Sequence, residues 1–145
     1  MNYSLNLLEI LGTRISRELT REQRLPEERL FQAIILQAFE DALNMGGQKN
    51  DAYTKQDSFY WFSTLSDDFD KVCWFANFDP EVIRHKFNEL TSKKVIYYSK
   101  KQLKWLRYRW LYKEYRRVKN KFERRKILNE IKSIEGLKKN NTPDK

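Results

Sequence analysis

Residues 66–90, SDDFDKVCWFANFDPEVIRHKFNEL, predict two short helices joined by a tight corner. Ser66 is a favourable N-cap, and the aspartates that follow it complement the positive end of a helix. Asn77 stands where a left-handed residue ends a helix, and Asp79 before Pro80 signals the start of the next one. Apolar residues recur at spacings of three and four on both sides of the corner, so each helix has one face to bury.

The corner resembles the helix-turn-helix of bacterial and phage DNA-binding proteins, and the resemblance is confined to the stretch quoted above. Cys73 occupies the position where that family usually has alanine, and Asn77 the position where it usually has glycine. Phe78 stands at the apolar position of the turn, and Ile83 at the inner anchor of the second helix. The resemblance implies that the second helix presents four side chains to DNA: Arg84, His85, Lys86 and Asn88.

Two acidic residues depart from the family pattern. Asp79 and Glu81 place negative charge at the leading end of the second helix, where the phosphates of DNA would approach. The alternative interpretation is an ordinary corner between two helices of an all-α domain, with no role in DNA contact.

The residues that precede the corner also have helical periodicity, so the sequence predicts an all-α fold. A first helix covers residues 2–20 with an interruption at Gly12, and a second, very regular helix covers Pro26–Asn44. An aromatic-rich helix follows, with Asp51 or Asp57 as its N-cap. The sequence therefore predicts a small helical domain that contains the helix-turn-helix-like corner.

The second helix has a wide apolar arc, which is typical of a central, well-buried helix. This arc spans two adjoining faces: Leu30, Ile34, Ala38 and Leu43 on one, and Phe31, Ile35, Phe39 and Ala42 on the other. Full burial of a large apolar side chain contributes about 1.5–3 kcal/mol before entropy. Four aromatic side chains are therefore expected to fix the core: Phe59, Phe62, Phe69 and Phe87.

The C-terminal part of the chain predicts a helical hairpin. Ser99 is a favourable cap for one helix, and the capping-box spacing of Asn120–Glu123 indicates the start of another, which ends at Gly136. A single helix over residues 100–135 is the alternative. The preceding run, Val95–Tyr98, predicts extended coil or a short strand.

These elements divide the chain into a helical domain at 1–92, a basic aromatic hairpin at 93–139 and a frayed tail at 140–145. The charge follows a similar division. Residues 1–90 hold 10 basic and 15 acidic side chains, a net −5, whereas residues 91–145 hold 19 and 5, a net +14. Such a basic block favours a polyanionic partner, and nucleic acid is the commonest. A lysine-rich, solvated surface that reflects the base composition of the genome is the alternative.

The first hairpin helix interleaves basic residues with aromatic ones. Seven basic side chains of the hairpin are expected to hold phosphates: Arg107, Arg109, Lys113, Arg116, Arg117, Arg124 and Arg125. Spacings of three, four and three form an aromatic stripe: Trp105, Tyr108, Tyr112 and Tyr115. The stripe suits stacking on unpaired bases. Alternatively, it packs against the first domain or against a second chain.

Residues that carry catalytic or metal-binding chemistry are scarce. His85 is the only histidine and Cys73 the only cysteine, so the sequence offers neither a set of metal ligands nor an internal disulfide. Phosphate-loop, dinucleotide-binding and nucleophile-elbow motifs are absent. We therefore expect no enzymatic activity, no cofactor and no metal.

No apolar run approaches the roughly 18 residues of a membrane span, and the cysteine usage fits a reducing cytoplasm.

Together these features predict a small, cytoplasmic DNA-binding protein of phage or mobile-element type that regulates transcription and favours duplex DNA. One alternative is a protein-interaction module or an inhibitor that docks on a host protein. Another is RNA or single-strand binding through the C-terminal hairpin. The sequence leaves open whether a protein partner or a second copy of the chain takes part.

Overall fold

The computed structural model describes residues 5–140, and over this range the chain is all-helical, as the sequence predicts. Side chains are described for residues 6–136. The helices of the described residues are α1 (Leu5–Leu11), α2 (Thr13–Leu19), α3 (Pro26–Leu43), α4 (Lys49–Ser63), α5 (Asp67–Phe75), α6 (Pro80–Ser92), α7 (Lys100–Arg117) and α8 (Lys121–Asn140).

The chain groups into two compact units. Unit 1 contains the chain up to Asn44 together with Thr54–Tyr97, and unit 2 contains Met45–Tyr53 together with the chain from Tyr98. Helix α4 therefore begins in unit 2 and ends in unit 1. The sequence predicted a boundary after residue 92 between the helical domain and the hairpin, and another after residue 139 before the tail.

Helices α5 and α6 begin as their sequence predicts. The Ser66 hydroxyl accepts a hydrogen bond from the Phe69 amide at 3.2 Å, which caps α5. The Asp79 carboxylate accepts one from the Glu81 amide at 3.0 Å, and Pro80 occupies the first position of α6. Each cap satisfies an amide that has no partner inside its own helix, so the N-termini of α5 and α6 are both fixed by local hydrogen bonds.

Helix α5 ends in a left-handed residue, also as predicted. Asn77 has a φ of 66°, and its amide donates to the Trp74 carbonyl at 3.0 Å. The Phe78 amide donates to the Cys73 carbonyl at 2.9 Å, which completes a Schellman motif. Burial raises the pKa of the Cys73 thiol to about 12, so this thiol stays protonated and unreactive.

Phe62 is the centre of the core of unit 1. Its ring stacks on Phe87 with centroids 4.4 Å apart and contacts Phe39 at 4.6 Å and Phe69 at 6.1 Å. Phe62, Phe69 and Phe87 are buried, and Phe59 packs edge-on against Phe87 at 5.2 Å while partly buried. The predicted aromatic core is confirmed, and it joins α3, α4, α5 and α6.

Helix α3 leaves part of its apolar arc exposed, so the prediction is wrong for Leu30 and Ile34, whereas Ala38 and Leu43 of the same side are partly buried and pack against the core. Leu30 is 62% exposed and Ile34 is 41% exposed. The buried face instead includes Gln32, whose amide nitrogen donates to the Ala76 carbonyl at 3.0 Å and whose oxygen accepts from Arg24 at 3.0 Å. Those two hydrogen bonds make a buried amide tolerable, so a polar residue takes a place on the inner face.

Lys55 is a fully buried charged residue of unit 1. Its ammonium donates to the Asn44 carbonyl at 3.0 Å and to the Tyr97 carbonyl at 2.5 Å. The end of α3 and the segment after α6 are therefore joined to α4 through one side chain. Burial disfavours the charged form and lowers the pKa of Lys55 to about 8.

Helices α7 and α8 of unit 2 form an antiparallel hairpin, which confirms the predicted hairpin over the single-helix alternative. Ser99 and Gln102 form a capping box at the start of α7. The Asn120 side chain accepts from the amide of Phe122 at 2.8 Å and so caps α8. Other packing in unit 2 involves the segment before α4, because the Trp105 indole donates to the Gly47 carbonyl at 3.1 Å.

Two boundaries differ from the sequence prediction. Helix α8 continues through Gly136 to Asn140, because a glycine inside a helix weakens it without ending it. The remainder of the predicted frayed tail, 141–145, lies outside the described residues. Val95–Tyr98 forms no strand within residues 5–140, so the short-strand alternative is wrong; the segment is irregular, with bends at Val95 and Ile96, and it buries Ile96.

Phe62→Ala is expected to lower the free energy of unfolding by about 3–5 kcal/mol, because it removes a ring that contacts four other aromatic side chains. Tyr60→Ala, in the same helix but at a side chain that is 72% exposed, is expected to cost about 0.5 kcal/mol or less. Urea denaturation of both variants measures the difference. Equal losses would contradict a central role for Phe62.

Lys55 is expected to make the free energy of unfolding vary with pH in the alkaline range. In the unfolded chain the lysine ionises near 10.5, and in the folded chain its pKa is about 8. Between these values the unfolded chain binds more protons, so stability rises with pH across this window. Unfolding should be measured for the protein and for Lys55→Met at several pH values. A difference between them that stays constant from pH 8 to 10.5 would contradict the lowered pKa.

Candidate nucleic-acid interface

Unit 2 carries the net positive charge of the protein. Its two chain segments hold 18 basic and 6 acidic side chains, a net +12, whereas unit 1 holds 11 and 14, a net −3. Acidic groups in unit 2 can therefore neutralise only a third of its cations. A cation that already pairs with a group of unit 2 is less available to an external anion than an unpaired one.

Two of the seven hairpin residues predicted to hold phosphates form ion pairs. Arg107 makes a two-pronged contact with Glu130 at 2.7 and 3.2 Å, and Arg117 contacts Glu114 at 2.5 Å. The hydrogen bond from Arg107 holds the pKa of Glu130 below its usual range, and the one from Arg117 does the same for Glu114. Both pairs are on the surface, where such contacts contribute little to stability but do compete with an external anion.

Two more of these residues lie over aromatic rings. The Arg109 guanidinium is 4.7 Å from the centre of the Tyr53 ring and donates to the Tyr53 carbonyl at 3.4 Å. The Arg124 guanidinium is 4.5 Å from the centre of the Tyr115 ring. These cation–π contacts fix the two side chains in unit 2 and reduce their freedom to reach outward.

The other three predicted phosphate contacts, Lys113, Arg116 and Arg125, are exposed. None of them has an ion pair, a side-chain hydrogen bond or a ring contact within the part of the chain that the structure describes. Six further lysines share these properties and were counted in the basic block without being named as site residues: Lys100, Lys101, Lys104, Lys119, Lys121 and Lys132. Nine outward cations of unit 2 are therefore available to an anionic partner.

The spacing of the outward cations groups them along the helices. Lys121 and Arg125 are four residues apart on α8, and Lys132 follows after seven more, so all three lie on one side of that helix. Lys113 and Arg116 are three residues apart on α7 and are also neighbours. Rows of cations at helical spacing suit the regularly spaced phosphates of a nucleic-acid backbone.

Most of the predicted aromatic stripe is used for packing within unit 2. Trp105 is buried and meets Tyr108 edge-on at 5.5 Å, and Tyr108 meets Tyr112 at 5.0 Å. The Tyr108 hydroxyl donates to Glu135 at 3.3 Å, and burial raises the pKa of this tyrosine. These rings hold the hairpin together, so the stacking role predicted for the stripe does not fit their positions.

Two other rings of the hairpin face outward. Trp110 is 47% exposed, and the Arg107 guanidinium lies 4.6 Å from its centre. Phe122 is 68% exposed, and the Lys126 ammonium lies 4.8 Å from its centre. Sequence periodicity did not identify these two rings as candidates for stacking, because neither residue belongs to the regular aromatic stripe.

Arg84 of α6 is not presented to solvent as the sequence predicts. Its side chain is 13% exposed, lies 4.6 Å from the centre of the Phe69 ring and pairs with Glu81 at 2.5 Å. Asp70 of α5 is a second carboxylate partner at 3.5 Å. Arg84 therefore joins α5 to α6 inside the corner, because the acidic residues that flank the corner attract its guanidinium.

The other three predicted base contacts on α6 differ in their availability. Lys86 pairs with Glu89 at 2.7 Å, and this hydrogen bond holds the pKa of Glu89 below its usual range. His85 and Asn88 are exposed. The structure therefore leaves two of the four predicted residues on the open surface of α6.

A shallow groove of about 390 Å³ lies in unit 1 between α6 and the elbow that joins α1 to α2. Its lining includes His85 and Lys86 from α6, Arg14 from α2 and Gly12 at the elbow, whose φ is 88°. Sequence spacing gave no signal for Arg14, because more than 60 residues separate it from the start of α6. The acidic Glu81 lines the same groove, so its charge is mixed.

No group of three or more histidine, cysteine, aspartate or glutamate side chains that could hold a metal ion occurs among the described residues. Over the same range no helix is both long enough and apolar enough to cross a bilayer. No model of a known protein family, no curated protein and no solved structure matches the chain.

Arg84→Ala is expected to lower the free energy of unfolding by about 1 kcal/mol, because it removes a guanidinium packed on a ring and shared by two carboxylates. His85→Ala, at the next residue and exposed, is expected to change it by about 0.5 kcal/mol or less. Urea denaturation gives both values. If Arg84→Ala left stability unchanged and abolished binding to DNA, its assignment to the interior of the corner would be wrong.

Proposed function

We propose that this protein binds duplex DNA through its phosphate backbone, and that the α7–α8 hairpin of unit 2 makes the contact. The observation that carries this proposal is the set of nine outward cations for which the described residues supply no carboxylate partner. Their surplus over the acidic residues of unit 2 gives that unit a net charge of +12.

Backbone binding requires many cations and no particular order of bases. Each lysine or arginine that neutralises a phosphate releases a condensed counterion, and this release drives association at low salt. The outward cations of α7 and α8 satisfy that requirement, because they are exposed and follow helical rows. A duplex is favoured over a single strand because most of the aromatic stripe is occupied in packing.

Contact with bases by α6 has weaker support. Arg84 lies within the corner, and Asp79 and Glu81 repel phosphates at the leading end of the helix. His85 and Asn88 are the side chains of α6 that remain available for such contact. A role as a transcription regulator of phage or mobile-element type rests on the resemblance of the corner and stays a prediction.

Binding of single-stranded nucleic acid is a second candidate function. Trp110 and Phe122 favour it, because both rings are exposed and each lies beside a cation. A ring of this kind stacks on an unpaired base, which contributes about 1–3 kcal/mol per base. Competition between duplex DNA, single-stranded DNA and RNA of matched length distinguishes the two candidates.

The double variant Lys113→Ala/Arg116→Ala is expected to weaken binding to every duplex alike. It removes two outward cations from α7, so the slope of log affinity against log salt should become shallower by about 1.8, or 0.9 per lost phosphate contact. Fluorescence anisotropy with labelled duplexes of unrelated sequence, over a series of salt concentrations, measures the slope.

Arg17→Ala/Arg29→Ala is the matched control, because it removes the same charge from exposed positions of unit 1. The control should keep a slope close to that of the unmodified protein. Equal effects of both pairs would mean that net charge alone drives association. An unmodified protein that binds no duplex at low salt would contradict the proposed function.

A further inference from the structure

Unit 1 exposes large apolar side chains on α3 and α5, and these two helices contact each other. The rings of Phe31 and Phe75 stack with centroids 5.0 Å apart, and Phe75 is 56% exposed. Trp74, beside it on α5, is 63% exposed, and Leu30 and Ile34 are the exposed pair already described on α3. We name these five residues the α3–α5 patch. Large apolar side chains grouped in this way mark an interaction site more often than single exposed ones do.

We propose that the α3–α5 patch is the surface through which two copies of this chain associate. The four exposed side chains of the patch each leave on the order of 100 Å² exposed, so one patch offers roughly 400 Å² of apolar surface. Two patches face to face would bury about 800 Å² of apolar surface. A polar rim around them brings the total into the range of about 1,200–2,000 Å² that stable interfaces bury.

Charge makes a second copy a better partner for this patch than a nucleic acid. Unit 1 has a net charge of −3, so a nucleic acid is repelled from it, whereas two such units repel each other only weakly. An association through unit 2 would instead bring two charges of +12 together. The patch is therefore the surface on which two copies meet at low electrostatic cost.

The rim of the patch carries both signs of charge. Glu27 lies one turn before Leu30 on α3, and Lys71 lies one turn before Phe75 on α5, and both charged residues are exposed. A two-fold axis through the patch pairs a surface with itself and closes the assembly at two copies. Opposite charges on the rim can then meet across the axis, which favours one register of the pair.

Sedimentation velocity of the full chain over a range of concentrations tests this inference. The unmodified protein should shift from one copy to two as its concentration rises. Leu30→Glu and Trp74→Glu should each weaken the association at least thirtyfold, because a central tryptophan or leucine anchor is replaced by a charge. Both side chains are mostly exposed, so the fold should survive, and circular dichroism checks this.

Leu65→Glu is the matched control, because Leu65 is 83% exposed and lies outside the patch. It introduces the same charge and should leave the association constant unchanged. A single copy at every concentration would overturn the inference. So would an association that the two patch variants leave intact, or one that Leu65→Glu weakens equally.

Discussion

The carboxylates of unit 2 are too few to neutralise its lysines and arginines. Six acidic side chains stand against 18 basic ones, and the local pairs Arg107–Glu130 and Arg117–Glu114 already engage half of the four acids on the described hairpin helices. The remaining cations keep their hydration and a cloud of counterions unless a dense anion replaces them. A nucleic-acid backbone supplies such an anion at regular spacing. Within the described part of the hairpin, no carboxylate pairs with Lys113, Arg116 or Arg125.

Unit 1 has a slight excess of acidic residues instead. Arg84, one of its basic residues, meets Asp70 and Glu81, and its aromatic core around Phe62 is enclosed by four helices. Its surface carries charges of both signs with a small acidic excess, together with exposed apolar side chains on α3 and α5. The two units therefore expose different chemistry: unit 2 has a cationic hairpin, for which we propose a polyphosphate partner, and unit 1 has the α3–α5 patch, for which we propose a second copy of the chain. Lys55 adds a buried ammonium bonded to carbonyls from two segments of unit 1.

Signals that act over two or three residues were visible in the sequence, and those that depend on packing were not. Ser66 and Asp79 cap helices whose amides are their near neighbours, so the helix ends and the all-α class followed directly. The burial of Arg84 depends on Asp70, on the preceding helix, and periodicity does not show that contact. Periodicity also does not decide which side of a wide apolar arc faces the core, which is why Leu30 was expected inside.

We propose that the hairpin, and not the corner of unit 1, contacts nucleic acid. Chemical-shift mapping of the isotopically labelled full chain, titrated at moderate salt with a duplex of arbitrary sequence, tests it most directly. We expect the amide resonances around Lys113, Arg116 and Arg125 to shift, and those around His85 and Asn88 to change little. Shifts confined to α6, or an unchanged spectrum, would contradict it.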